Sequence, residues 1–134
     1  MKTEITIPGR PITKKNSQQI ARNRKTGKSF LLQSKQYREY EKACLWELKN
    51  YRGPTFEGSK LHVKCEYWMP NYRSWPDLIG LMQATWDILE KANIIDDDGN
   101  IVIPDGSRIV GVDRNSPRVD IEIDEVDYEF REVE

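Results

Sequence analysis

The chain has 134 residues and a formal net charge of −1 at pH 7, with 32% charged and 37% hydrophobic residues. This length suits a single domain with one hydrophobic core, so residues 1–134 are treated as one domain. No apolar run approaches the ~20 residues of a membrane-spanning helix, and the first residues lack the pattern of a signal peptide, so we expect a cytoplasmic protein without membrane association.

The first half of the chain is predicted to contain one strand, one long loop and one helix. Residues 3–9 alternate polar and apolar side chains, which indicates a half-buried strand. Residues 10–33 are polar and basic without a clear period, and we expect a long functional loop there. Ser34 is a good N-cap for a helix that runs to about Tyr51. Its predicted buried face consists of Tyr37, Tyr40, Cys44, Leu48 and Tyr51.

The second half is predicted to contain four strands and one helix. Alternation over Leu61–Met69 indicates a strand, and apolar residues at helical spacing after Asp77 indicate a second helix. Three shorter strands are predicted at Ile101–Ile103, Arg108–Val112 and residues 119–123. An acidic tail occupies about 126–134. The order β-α-β-α-β-β-β predicts an α+β fold with a single mixed β-sheet and two main helices packed on it.

The chain offers few residues that bind zinc. Its only histidine is His62, and Cys44 and Cys65 form no CxxC pair. This composition excludes a zinc site of several histidines or cysteines, and both cysteines are predicted to be buried thiols. There is also no GxxxxGK[ST] or GxGxxG sequence, so a nucleotide-binding loop is not predicted.

Charge is unevenly distributed along the chain. Residues 10–38 contain nine basic residues and no acidic one, whereas residues 96–134 contain thirteen acidic and four basic residues. A basic region suits a polyanion, and an acidic region suits cations. Two interpretations stay open, namely nucleic-acid binding by the basic region or two solvated surfaces that bind nothing.

Carboxylates gather at both ends of the predicted second helix. Asp77 lies at its start, and Asp96, Asp97 and Asp98 follow its end. Clustered carboxylates repel one another unless a cation such as Mg²⁺ or Mn²⁺ lies between them. The helix would be roughly 25 Å long at ~1.5 Å per residue, so its ends meet only if the chain folds back or a second copy supplies the partner. The alternatives are an ordinary N-cap and a solvated turn.

Residues 69–102, and more weakly most of the chain, resemble the RusA family of Holliday junction resolvases, which is common in prophages of bacteria. The family signature is roughly D-L-D-N-L-x-K, then a helical Asp-x-Leu about ten residues later, then D-D before a strand. The separation from the first to the last aspartate matches without a gap. The matching stretches are residues 7–16, Ser34 with Tyr37, residues 77–83, residues 87–89, and Asp97 with Asp98.

The resemblance implies a metal-dependent endonuclease that cuts four-way DNA junctions as a homodimer, using Mg²⁺ or Mn²⁺. It places Asp77 and Asp98 at metal-binding positions, with Asp97 as a helper. Hydrolysis of a phosphodiester needs an activated water and a neutralised leaving oxygen, which magnesium can supply. Basic side chains would hold the DNA phosphates through charge-assisted hydrogen bonds. The predicted DNA contacts are Lys14, Lys15, Asn16, Arg22, Arg24, Lys25 and Arg73.

Three residues depart from the family signature. Ile79 replaces the second aspartate, Gly80 replaces the asparagine, and Gln83 replaces the lysine. Since isoleucine cannot bind a metal, either Asp77, Asp97 and Asp98 suffice, with Asp87 or Asp96 helping, or activity is lost. The main alternative is therefore a non-catalytic junction-binding protein with a degenerate metal site. A less selective flap or single-strand nuclease is a third hypothesis.

Overall fold

The structure is a computed structural model that describes residues 1–14 and 18–134. Seven strands and two main helices occupy this part of the chain, together with a short 3₁₀ turn at Asp98–Asn100. In chain order the elements are β1 (Lys2–Pro8), β2 (Gln18–Arg22), β3 (Ser29–Gln33), α1 (Lys35–Leu48), β4 (Leu61–Met69), α2 (Leu78–Lys91), β5 (Ile101–Ile103), β6 (Arg108–Val112) and β7 (Arg118–Glu125).

Five strands form one mixed sheet with β4 at its centre. β7 pairs antiparallel with both β1 and β4. On its other edge, β4 pairs in parallel first with β5 and then with β6, which lie one after the other along the strand. The predicted α+β class, with a single main mixed sheet and two helices, is confirmed.

The core lies on one face of this sheet. Every second residue of β4, from Leu61 to Met69, is fully buried at 0% exposure. Side chains of α1 and α2 belong to the same core, including Cys44 of α1 and Leu89 of α2. Burying a large apolar side chain contributes roughly 1.5–3 kcal/mol, so this face provides the main attraction between helices and sheet. Both cysteines are buried free thiols, as predicted.

The prediction of one long loop over residues 10–33 is wrong in part. β2 and β3 pair antiparallel as a hairpin, separate from the main sheet in the described residues. Its turn is stabilised locally, because Asn23 Oδ1 accepts hydrogen bonds from the backbone N–H groups of Lys25 and Thr26. Gly27 has a φ of 71°, a left-handed conformation that glycine adopts without strain. Such short strands lack the alternation by which strands are recognised.

Both helices begin at the predicted N-caps. The Ser34 hydroxyl accepts a hydrogen bond from Tyr37 N at 3.1 Å, and Asp77 Oδ2 accepts one from Gly80 N at 2.9 Å. Each helix is shorter than its predicted stretch, since α1 ends at Leu48 and α2 at Lys91. At ~1.5 Å per residue, the 14 residues of α2 span about 21 Å. No helix of the described residues has the length and hydropathy to span a bilayer.

Candidate metal centre

The chain reverses direction directly after α2. Asn93 has a φ of 60°, a left-handed conformation that ends the helix. Ile94 and Ile95 are then buried at 2% and 1% exposure, and Ile95 forms a parallel β-bridge with Phe56. Because these two isoleucines anchor the chain, the acidic residues that follow them are held beside the last turn of α2.

This reversal brings three carboxylates together. Asp98 N donates a hydrogen bond to Glu90 Oε1 at 3.0 Å, which joins the returning chain to the helix. One carboxylate oxygen from each of Glu90, Asp97 and Asp98 lies within 4.8 Å of the other two. The Asp97 side chain is oriented by Gly99 N, which donates to its Oδ1 at 2.8 Å. We call these three residues the acidic cluster.

The acidic cluster has no cationic partner within the described residues, since none of its members forms an ion pair there. Burial raises the pKa of Asp98, and the negative charges of Glu90, Asp97 and Asp87 raise it further. Carboxylate oxygens are the ligands that Mg²⁺ prefers. Two oxygens on one Mg²⁺ lie about 3–4 Å apart, because each is about 2.1 Å from the ion, so small side-chain rotations would complete a site. The donor set therefore fits a divalent cation.

Asp77 lies at the opposite end of α2 from the acidic cluster. Its carboxylate caps the helix, and the length of α2 puts about 21 Å between the two helix ends. The predicted pair Asp77 and Asp98 therefore does not meet within one chain.

The first turn of α2 is tightly packed. A Cβ atom at Gly80 would lie 2.9 Å from Asp77 Oδ1 and 3.2 Å from Thr13 Cγ2. The segment that carries Thr13 thus packs directly against this turn.

The two aspartates considered as helpers have other partners. Asp87 Oδ2 lies 2.8 Å from Lys14 Nζ and 3.3 Å from Lys91 Nζ. Burial acts to raise the pKa of Asp87, but the hydrogen bond and charge of Lys14, with those of Lys91, outweigh burial and lower it. Asp96 accepts hydrogen bonds from Gly58 N and from the Asn100 side chain. Neither carboxylate belongs to the acidic cluster.

The predicted DNA contacts that the structure describes lie at three places. Arg22, Arg24 and Lys25 are exposed at the tip of the β2–β3 hairpin, and Arg73 is exposed in the loop before α2. Lys14 pairs with Asp87, so this cation is held on the flank of α2. The other two predicted contacts, Lys15 and Asn16, lie outside the described residues.

Sequence reasoning missed Glu90. It lies in the last turn of α2, seven residues before Asp97, and no local spacing connects it with the triplet. The sequence does contain one signal, the apolar pair Ile94 and Ile95 directly after the helix. Such a pair tends to be buried, as it is here, and its burial requires the chain to turn back onto the core.

A comparison with protein families matches residues 8–124 to the family described as Endodeoxyribonuclease RusA. A search of curated proteins gives no match. The family match covers both helices, the acidic cluster and the main sheet apart from β1, of which it includes only Pro8. It agrees with the resemblance carried by Asp77, Asp97 and Asp98. The chain therefore belongs to the RusA family of endodeoxyribonucleases.

Proposed function

We propose that this protein is a Mg²⁺-dependent endodeoxyribonuclease that resolves four-way DNA junctions in recombination and repair, with Mn²⁺ able to replace Mg²⁺. The observation that carries the proposal is the acidic cluster, in which three carboxylates converge without a cationic partner among the described residues. It occurs in a chain of the RusA endodeoxyribonuclease family, and two of its members, Asp97 and Asp98, form the D-D sequence on which the resemblance to that family rests.

The complete site is proposed to form between two copies of the chain. Asp77 and the acidic cluster lie at opposite ends of the same helix, so one protomer cannot bring them together. Two copies related by a two-fold axis would place Asp77 of each protomer beside the acidic cluster of the other. Such a homodimer has two equivalent sites, which matches the approximate two-fold symmetry of a four-way junction and the need for paired cuts.

Each group of residues has a role in this proposal. Glu90, Asp97 and Asp98 would hold the cation through their carboxylate oxygens, and the hydrogen bond from Asp98 N to Glu90 keeps the returning chain in place. The bound metal would supply water activation and neutralise the leaving oxygen. The exposed cations of the hairpin tip, Arg24 and Lys25 among them, would bind phosphates and position the DNA.

Mixed dimers test whether the site is shared. Asp77→Asn and Asp98→Asn are each expected to abolish junction cleavage as homodimers. In a heterodimer of the two variants, a shared arrangement leaves one site with both native aspartates and the other with neither. We therefore expect co-refolded mixtures to recover single-strand nicking of a synthetic junction in Mg²⁺. Absence of any recovery, with heterodimers verified by mass, contradicts a shared site.

A non-catalytic junction-binding protein is the second candidate function. The Ile79 side chain is 66% exposed on the first turn of α2, at the position of the family's second aspartate, and it offers no ligand atom. Under this alternative, the wild-type protein binds junctions without cutting them, and Ile79→Asp creates cleavage. Comparing junction, flap, duplex and single-stranded substrates also distinguishes a junction resolvase from a less selective nuclease.

A further inference from the structure

The loop between β4 and α2 presents two stacked aromatic rings to the solvent. The ring centroids of Tyr72 and Trp75 are 5.8 Å apart, with an interplanar angle of 24°. Tyr72 is 74% exposed and Trp75 is 38% exposed. Because Trp75 covers only one face of the Tyr72 ring, the outer face of that ring is open to a further planar group.

Hydrogen bonds within the loop hold the Trp75 ring and the backbone between the two rings in place. Asn71 Oδ1 accepts a hydrogen bond from Arg73 N at 2.9 Å, and the Asn71 carbonyl oxygen accepts one from the Trp75 indole N–H. Ser74 has a φ of 47°, which turns the chain sharply between the two rings. A surface ordered in advance loses less conformational entropy when it binds a ligand.

Two arginines lie near the stacked rings. Arg73 lies between them in the sequence and is exposed. Trp75 also lines a cavity of about 310 Å³, to which the exposed Arg10 contributes. In residues 1–14 and 18–134, neither guanidinium takes part in an ion pair. Aromatic faces beside available cations are the combination by which proteins hold unpaired nucleotides, since the rings stack on bases and the cations bind phosphates.

We propose that Tyr72 and Trp75 form a stacking platform for an unpaired nucleobase of branched DNA. This inference rests on the proposed function, and it adds a binding site and a basis for substrate choice. Bases inside a duplex already stack on one another, whereas bases at the crossover of a junction can leave the stack at lower cost. The platform therefore favours branched DNA over duplex, and it lies two residues before Asp77, which is a proposed metal ligand.

The test measures binding in EDTA, where a metal-dependent enzyme cannot cut. The probe is a synthetic four-way junction carrying the fluorescent base 2-aminopurine at the crossover. Wild-type protein is expected to quench the probe by stacking. Tyr72→Ala should weaken junction binding about tenfold, within the range measured for single base–aromatic stacks, and should abolish the quenching. Tyr72→Phe keeps the ring and should retain both properties.

Trp46→Ala is the matched control. Trp46 is 67% exposed on α1, and its ring contacts Lys49 rather than another aromatic ring. This variant should bind and quench like wild-type protein, and Tyr72→Ala should leave the weaker duplex affinity unchanged. Thermal unfolding of each variant checks that it is folded.

The outcomes separate the two proposals. If wild-type protein binds the junction and Tyr72→Ala binds and quenches equally well, the platform is refuted while the proposed function stands. If Tyr72→Ala weakens junction and duplex binding alike, the ring contributes general affinity and the platform is again refuted. Wild-type protein that binds no branched DNA overturns both proposals.

Discussion

Two groups of acidic residues in this protein have opposite surroundings. The first consists of Asp120 and Glu122 on the exposed face of β7. Lys2 and Lys64 lie 2.8 Å and 3.3 Å from Glu122, and Arg118 lies 3.2 Å from Asp120. The hydrogen bond from Lys2 is the main cause of the lowered pKa of Glu122. These carboxylates are neutralised by the protein itself.

The acidic cluster at the end of α2 is the second group, and the pKa of its Asp98 is raised. Burial and the neighbouring carboxylates of Glu90 and Asp97 produce this opposite shift. In the described residues the cluster has no basic partner to offset its charge. The comparison teaches that local acid content does not distinguish structural from functional carboxylates. Whether a cation lies beside a carboxylate decides between the two, and some of these cations, such as Lys2 beside Glu122, come from distant parts of the chain.

Substitutions in the two groups of acidic residues should differ most in their effect on the rate of DNA cleavage. Asp98→Asn removes one proposed ligand, and we expect junction cleavage in Mg²⁺ to fall at least about 100-fold, since even loss of a residue that only supports a ligand costs 10–100-fold. Glu122→Gln, which alters a paired carboxylate, should cut at a rate close to wild type. The measurement is the initial rate on a labelled junction. Equal losses for both variants would contradict the assignment of different roles.

Metal binding should stabilise the protein through the acidic cluster and not through the paired carboxylates of β7. At a Mg²⁺ concentration of 100 times Kd, binding to the native state contributes about 2.7 kcal/mol, which is roughly 8 °C in Tm for a chain of this size. Thermal scans with Mg²⁺ and with EDTA measure the difference. Glu122→Gln should keep the full shift, and Glu90→Gln should lose most of it. A full shift in Glu90→Gln would exclude that residue from the metal site.

The smallest expected effect is on stability as pH changes. The pKa of Glu122 in the folded state lies below its ordinary value of 4.5. Its ion pairs therefore stabilise the fold above pH 4.5, and this contribution is lost as pH falls through the lowered pKa. Glu122→Gln should reduce the free energy of unfolding at pH 7 by less than about 1 kcal/mol, because exposed pairs are screened by solvent.

Urea unfolding of wild-type protein and Glu122→Gln at pH 7 and pH 3 in EDTA measures this effect. The stability difference between the two proteins should shrink at the lower pH. Wild-type protein that is less stable than Glu122→Gln at pH 7, with the difference vanishing at pH 3, would show that Glu122 has the opposite role, in which its charge destabilises the native protein.

The sequence was most informative where the signal is local. The alternation over Leu61–Met69 predicted the strand β4, and Ser34 and Asp77 marked both helix starts through capping. The family resemblance also led to Asp97 and Asp98. In each case neighbouring residues determine the conformation, because a strand alternates every two residues and a cap acts within one turn.

The sequence was least informative where distant segments meet. Glu90 joins the acidic cluster only because Ile94 and Ile95 turn the chain back and Phe56, far upstream, pairs with Ile95. The β2–β3 hairpin was missed because its two short strands are held by pairing and by a turn at Asn23, rather than by an apolar face with a clear period.

The tight packing at Gly80 has a consequence for any attempt to rebuild the family signature in this chain. Ile79 is exposed, so an aspartate at position 79 meets no steric obstacle. The Cβ atom of an asparagine at position 80 would instead lie 2.9 Å from the capping carboxylate of Asp77 and 3.2 Å from the methyl group of Thr13, so both groups would have to shift. The two substitutions therefore make different demands on the fold, since only the second disturbs the cap of α2.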